Sequence, residues 1–114
     1  DYIELGNLEA KRDFGNSPEF VEAFWRMLQL DKPDDFVLAT GENHSIKEFV
    51  KTAFECVEIH NWQDYIKQNP KYMRPAEVDY LLGDSRKAQK ILGWKPTVNF
   101  EQLVEEMVKA DLCI

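Results

Sequence analysis

The chain is 114 residues long, the size of one domain, with 44% hydrophobic and 31% charged residues. Its formal charge of −7 argues against nucleic acid and anionic membranes as partners, since both require a positive field. No apolar run approaches the ~18 residues of a membrane span, no signal-peptide pattern opens the chain, and Cys56 and Cys113 show no paired spacing, so a reduced, cytoplasmic protein is expected.

The first element predicted is a helix from about Pro18 to Leu30. Ser17 suits its N-cap, Pro18 its first position and Glu19 its positive end. Phe20, Phe24, Met27 and Leu28 form an apolar stripe, widened by Val21 and Trp25. One small core should not need all of that stripe, so an exposed apolar face is expected here. Glu22 and Arg26 should pair at i,i+4 on the outer side. The run Phe36-Val37-Leu38-Ala39-Thr40 reads as a short buried strand, of parallel type. Gly41-Glu42-Asn43 is a turn. A second helix starts at Ser45, with Glu48 completing a capping box. Its core face is Ile46, Phe49, Val50, Ala53, Phe54 and Val57.

From Ile59 to Pro70 the pattern weakens, and Trp62 and Tyr65-Ile66-Lys67 are candidates for short strands. Pro70 and Pro75 bracket an irregular or extended stretch. A short helix follows from about Arg86 to Leu92, capped by Asp84 or Ser85 and ended by Gly93. The last helix starts at Asn99 with Gln102 three residues on. Phe100, Leu103, Val104, Met107 and Val108 form its stripe, and Glu105 pairs with Lys109.

Several kinds of chemistry have no sequence basis here. The five glycines stand alone, so there is neither a dinucleotide fingerprint nor a P-loop. No tyrosine has a lysine four residues later. His44 and His60 lack ligand-like spacing to each other or to Cys56, and no metal site is expected. His44, beside a helix start, reads as a loop residue or a support behind a site.

Two constellations remain. Lys11-Arg12-Asp13-Phe14-Gly15 precedes the first helix. Arg12 offers a planar fork suited to phosphate oxygens, with Asp13 placed to steady it; a solvated Arg-Asp pair is the plainer alternative. In Tyr72-Met73-Arg74-Pro75-Ala76-Glu77-Val78, Pro75 fixes the relative direction of Arg74 and Glu77. That pair suits a phosphate and two sugar hydroxyls, or simply an i,i+3 salt bridge.

At these residues the chain resembles the GDP-mannose 4,6-dehydratases. Gly6-Asn7-Leu8-Glu9-Ala10-Lys11-Arg12-Asp13-Phe14-Gly15 is similar to their GNLxAKRDWG, with Phe14 in place of Trp. The stretch from Phe36 to Ser45 resembles FVxATGExHS, and that from Tyr72 to Asp79 resembles YxRPxEVD. The stretch from Asp84 to Pro96 resembles a hallmark shared by the extended short-chain dehydrogenases. The similarity runs through nearly the whole chain, in order.

The resemblance implies a fold and a role. The fold would be an α/β one, the small mixed α/β C-terminal lobe of an extended short-chain dehydrogenase without its Rossmann domain. Arg12 and Arg74 would grip the diphosphate of GDP-mannose or a related GDP-sugar, and Glu77 would take the ribose hydroxyls. NADP and the catalytic residues would belong to a Rossmann domain or subunit, leaving this chain with neither. A homo-oligomer is compatible with that arrangement. The segment between Val57 and Tyr72 is shorter than the family's. A free-standing interaction or regulatory module derived from the same lobe is the alternative. An adjacent reading frame encoding the Rossmann half would separate the two.

Overall fold

The computed structural model describes residues 1–76, 78 and 80–112. Four helices dominate: α1 (Ser17–Leu28), α2 (Ile46–Cys56), α3 (Arg86–Leu92) and α4 (Phe100–Leu112). The strands are short: β1 (Ile3–Leu5), β2 (Lys11–Arg12), β3 (His44–Ser45) and β4 (Ile66–Gln68). β1 runs parallel to β4 in the register Ile3↔Ile66, and β2 runs antiparallel to β3 in the register Arg12↔His44.

The helix termini follow their sequence signals closely. Ser45 and Glu48 form the expected capping box on α2. Asn99 and Gln102 exchange hydrogen bonds of 2.8 and 2.9 Å before α4. Gly93 ends α3 with φ +65°, and Arg26 Nη1 donates to the carbonyls of Leu92 and Gly93 at 3.1 and 2.6 Å, a basic group on a helix's negative end. The Glu22–Arg26 and Glu105–Lys109 pairs both form. At α1 the cap is Asn16 rather than Ser17: its side chain accepts from Glu19 N, and Ser17 is already helical. Both residue types cap well, and a buried Asn16, tied also to Glu106 at 2.7 Å, wins.

Two aromatic clusters make the interior. In the first, Ala23 of α1 and Ala88 of α3 are fully buried and let the helices close on Trp94. Phe20 meets the Trp94 ring edge-on at 5.4 Å, a favoured geometry for the ring quadrupoles. In the second, α2 packs on α4 through Phe14, Phe49 and Phe100, with centroids 5.1 to 6.0 Å apart, over buried Leu103 and Val104.

The stretch 36–40 differs from expectation. Phe36 and Leu38 pack on the first core while Val37 is exposed, the alternation of a strand, yet it belongs to no ladder among the described residues. Apolar alternation supplies the face but not the neighbour that a strand needs for its hydrogen bonds. Gly83 presses on this stretch so closely that a Cβ there would collide with that of Ala39. Trp62 also departs: it begins a 3-10 turn, Trp62–Tyr65, and is buried. β1 has no counterpart in the sequence reading, because three residues carry too little pattern to register.

Glu19 ties the two cores together. Its carboxylate accepts from Thr97 N at 2.7 Å, Thr97 Oγ1 at 2.8 Å and Val98 N at 2.9 Å, while its carbonyl accepts from Trp94 Nε1 at 2.8 Å. Burial raises its pKa, but the backbone amides of Val98 and Thr97 and the Thr97 hydroxyl together outweigh that and hold it below the ordinary 4.5. The clamp's contribution is therefore complete above about pH 4.5 and is lost as pH falls through the depressed value. Glu19→Gln should lower stability by about 1 kcal/mol at neutral pH, a figure discounted for solvent at the clamp's edge. It should also flatten the acid limb of a Tm-versus-pH curve between about pH 5 and pH 3, read by thermal melts.

Candidate functional site

β2 is where the first constellation lands. Arg12 is half-buried at its end, with Nη1 donating locally to Lys11 O at 2.8 Å. Asp13 is not committed to steadying Arg12. Oδ1 accepts from Thr40 N at 3.0 Å and Thr40 Oγ1 at 2.6 Å, and Oδ2 accepts from Gly41 N at 2.9 Å. A carboxylate beside two converging backbone amides and a hydroxyl finds more donors there than in one side chain. Asp13 thereby fixes the turn that follows 36–40, where Gly41 takes φ +84°, a conformation open chiefly to glycine.

Arg74 lies in the exposed stretch after a short 3-10 turn, Pro70–Tyr72. That stretch runs beside the N-terminal segment. A Cβ on Gly6 would strike the Tyr72 carbonyl, Lys11 bridges Tyr80 in parallel, and Leu81 N donates to Lys11 O at 3.1 Å. The stretches on either side of Arg74 thus touch the N-terminal segment that ends in Arg12, at Gly6–Tyr72 and at Lys11–Tyr80. Glu77 lies outside the described residues.

Across the β2–β3 ladder from Arg12 sits His44, which the sequence marks as a loop residue or a support behind a site and not as a member of one. Its Nδ1 is 2.9 Å from Glu48 Oε2, and its ring stacks on Phe100 at 3.9 Å with an interplanar angle of 13°. The His44 hydrogen bond first, then the Ser45 amide, draw the Glu48 pKa down against the opposing effect of burial. A small cavity of about 140 Å³ opens beside this ring, walled by Thr40, Glu42, Thr97, Asn99 and Phe100 among others. The available signal was the i,i+4 spacing of His44 and Glu48 at a helix start, which is too common to single out alone. Among the described residues no three metal-ligating side chains cluster, and no helix is long and apolar enough to cross a membrane.

This arrangement, a small mixed α/β unit with an arginine on a two-residue strand beside a capped helix, has the fold of one portion of larger solved enzymes. A solved dTDP-glucose 4,6-dehydratase from Bacillus anthracis, in complex with NAD, shares the fold with a TM-score of 0.84 at 14% identity, over 98% of this chain and 34% of its own.

Residues 1–107 match the family described as GDP-mannose 4,6 dehydratase, and the chain belongs to that family. GDP-mannose 4,6 dehydratase 2 of Arabidopsis thaliana is 53% identical over 108 residues, which are 95% of this chain and 29% of the plant protein. GDP-mannose 4,6 dehydratase of Homo sapiens is 46% identical, over 96% of this chain and 34% of its own. That alignment spans 126 positions, more than the 114 residues here, so the human protein carries residues with no counterpart in this chain. The chain spans about a third of the length of these relatives.

The Asp13 contacts allow a direct test. Asp13→Ala strands the amides of Thr40 and Gly41 and should cost about 2–3 kcal/mol. The loss is expected as a lower midpoint in urea unfolding with an unchanged slope.

Proposed function

We propose that this chain is the substrate-binding portion of a GDP-mannose 4,6-dehydratase-like enzyme. In this reading Arg12 and Arg74 grip the diphosphate of GDP-mannose or a related GDP-sugar, and Glu77 accepts hydrogen bonds from the ribose hydroxyls. The observation that supports it is the pair of contacts flanking Arg74, Gly6–Tyr72 and Lys11–Tyr80, made with the segment that ends in Arg12. Two planar forks on segments that touch suit a group with two adjacent phosphates. The family membership supports the choice of nucleotide sugar.

NADP belongs to a Rossmann domain or subunit outside this chain, where bound it would accept and return a hydride at the sugar. The work left to this chain is orientation: anchoring the nucleotide end so that the sugar end is presented to the other portion. Alone, the chain is not catalytic. The parent is a lyase of GDP-fucose formation and works in the cytoplasm.

The docking face for the NADP-bearing portion is α1. Val21, Phe24, Trp25 and Leu28 are exposed, Trp25 at 61% and Leu28 at 81%, and Val37 of the unpaired stretch 36–40 is exposed too. Apolar area of this kind beside a strand-like stretch with no ladder partner fits a sheet edge contributed from outside.

In the assembled enzyme, Arg74→Ala should weaken GDP binding by about ten-fold or more, the scale of one hydrogen bond to a charged group. Arg74→Lys should restore only part of it, since a point charge lacks the fork. Titration calorimetry with GDP reads both, and unchanged affinity in Arg74→Ala would remove Arg74 from the site. Separately, Trp25→Glu should leave this chain's own stability within about 0.5 kcal/mol but abolish its association with a separately expressed NADP-binding portion. Sedimentation of the mixed chains reads that loss.

A further inference from the structure

His44 is held on three sides. Glu48, ionised, can only accept, so Nδ1 must donate to it across 2.9 Å. Phe100 covers the ring face at 3.9 Å. Backbone pairing with Arg12 fixes its strand. What remains is Nε2, which is buried and has no hydrogen-bond partner. Its nearest acidic neighbour is Glu42 Oε2 at 3.8 Å, beyond hydrogen-bond reach. With the proton on Nδ1, neutral His44 presents Nε2 as a bare acceptor, and a carboxylate cannot satisfy it. Protonated His44 is a donor at both ends.

Glu42 sits where it can respond. It follows Gly41, whose surroundings are open, and its side chain is 72% exposed. The turn's backbone is held by Asp13 on Thr40 and Gly41 and by the Thr40 hydroxyl on the amide and carbonyl of Glu42, which leaves the Glu42 side chain free to move. The other charged groups around His44 are few. β2 contributes Lys11 and Arg12, of which Lys11 lies near enough to act on Glu48. Exposed Glu101 follows Phe100 on α4. The carboxylates of Asp13 and Glu19 are taken up by Thr40–Gly41 and Thr97–Val98, and Thr97 and Asn99 on the cavity wall carry no charge.

We propose that His44 is a proton-operated latch: on protonation Nε2 donates to Glu42 and ties the turn 41–43 down beside Arg12. The cation then bridges Glu42 on the turn and Glu48 on α2, and closes the cavity mouth. Deprotonation releases the Glu42 side chain and leaves the turn held by Asp13 and by the Thr40 hydroxyl. Any consequence for nucleotide binding rests on the role of Arg12 proposed above, whereas the latch itself does not.

The test uses the chain without nucleotide, so its failure and that of the nucleotide site are distinguishable. Amide exchange at Glu42 and Asn43 is followed by NMR from about pH 8 to about pH 5, the range in which histidine changes charge, after correction for intrinsic exchange. Protection should rise on acidification by about ten-fold, the scale of one charge-assisted hydrogen bond. Glu42→Ala, an exposed substitution that leaves the fold intact, should erase that rise, and so should His44→Gln. The 15N shift of Nε2 should report a protonated nitrogen at the acid end. A protection step that persists in Glu42→Ala, or no step in the wild-type chain, overturns the latch.

Discussion

The carboxylate of Glu19 is the tie on which the rest of this lobe depends. The two aromatic clusters, one around Trp94 and one around Phe100, are too small to define a fold separately. Glu19 collects Thr97 and Val98 with its side chain and Trp94 with its carbonyl, so the connection from α3 to α4 is pinned to the first turn of α1. Asp13 repeats the device on the Thr40 and Gly41 amides, and Glu48 on the Ser45 amide at the start of α2. With ladders of only two or three residues, side-chain carboxylates aimed at backbone amides do the joining that a larger sheet would do. Such bonds are directional and stronger than neutral ones, which is why a strongly acidic chain can still be well specified.

One side of the unit carries exposed apolar surface. α1 spends its inner face on Ala88 and Trp94 and leaves the outer half of its stripe in solvent. The adjoining 36–40 stretch has the alternation of a strand and no ladder. These features together form, on the proposed reading, a docking boundary, in a chain that spans about a third of its relatives' length. On the proposed reading, the arginines lie away from that boundary's apolar centre, so docking and nucleotide grip call on different residues.

Net charge bears on the proposed grip. At −7 the chain repels a diphosphate at a distance, and screening at physiological salt confines that repulsion to roughly 8 Å. Inside that range, planar donors on Arg12 and Arg74 dominate over the average field. Asp13, adjacent in sequence, turns its oxygens to Thr40 and Gly41 and so does not occupy the Arg12 fork.

Much of the local structure was written in the sequence. Helix ends follow from side chains that satisfy backbone groups within four residues of themselves: Ser45 with Glu48, Asn99 with Gln102, Gly93 in its left-handed turn. The family motifs were legible as well, and with them the lobe. What sequence could not supply was any decision between competing partners far apart in the chain. Asn16 displaced Ser17 as a cap because Glu106, ninety residues on, holds its amide. Asp13 turned to Thr40 and Gly41 rather than to Arg12 because the fold brings two amides and a hydroxyl to its side. The 36–40 run failed to become a strand because pairing needs a neighbour, and periodicity describes only one side of a pair. His44 acquired its setting for the same reason: spacing brings Glu48 near, but only packing sets Phe100 under the ring, Arg12 across the ladder and Glu42 just out of reach.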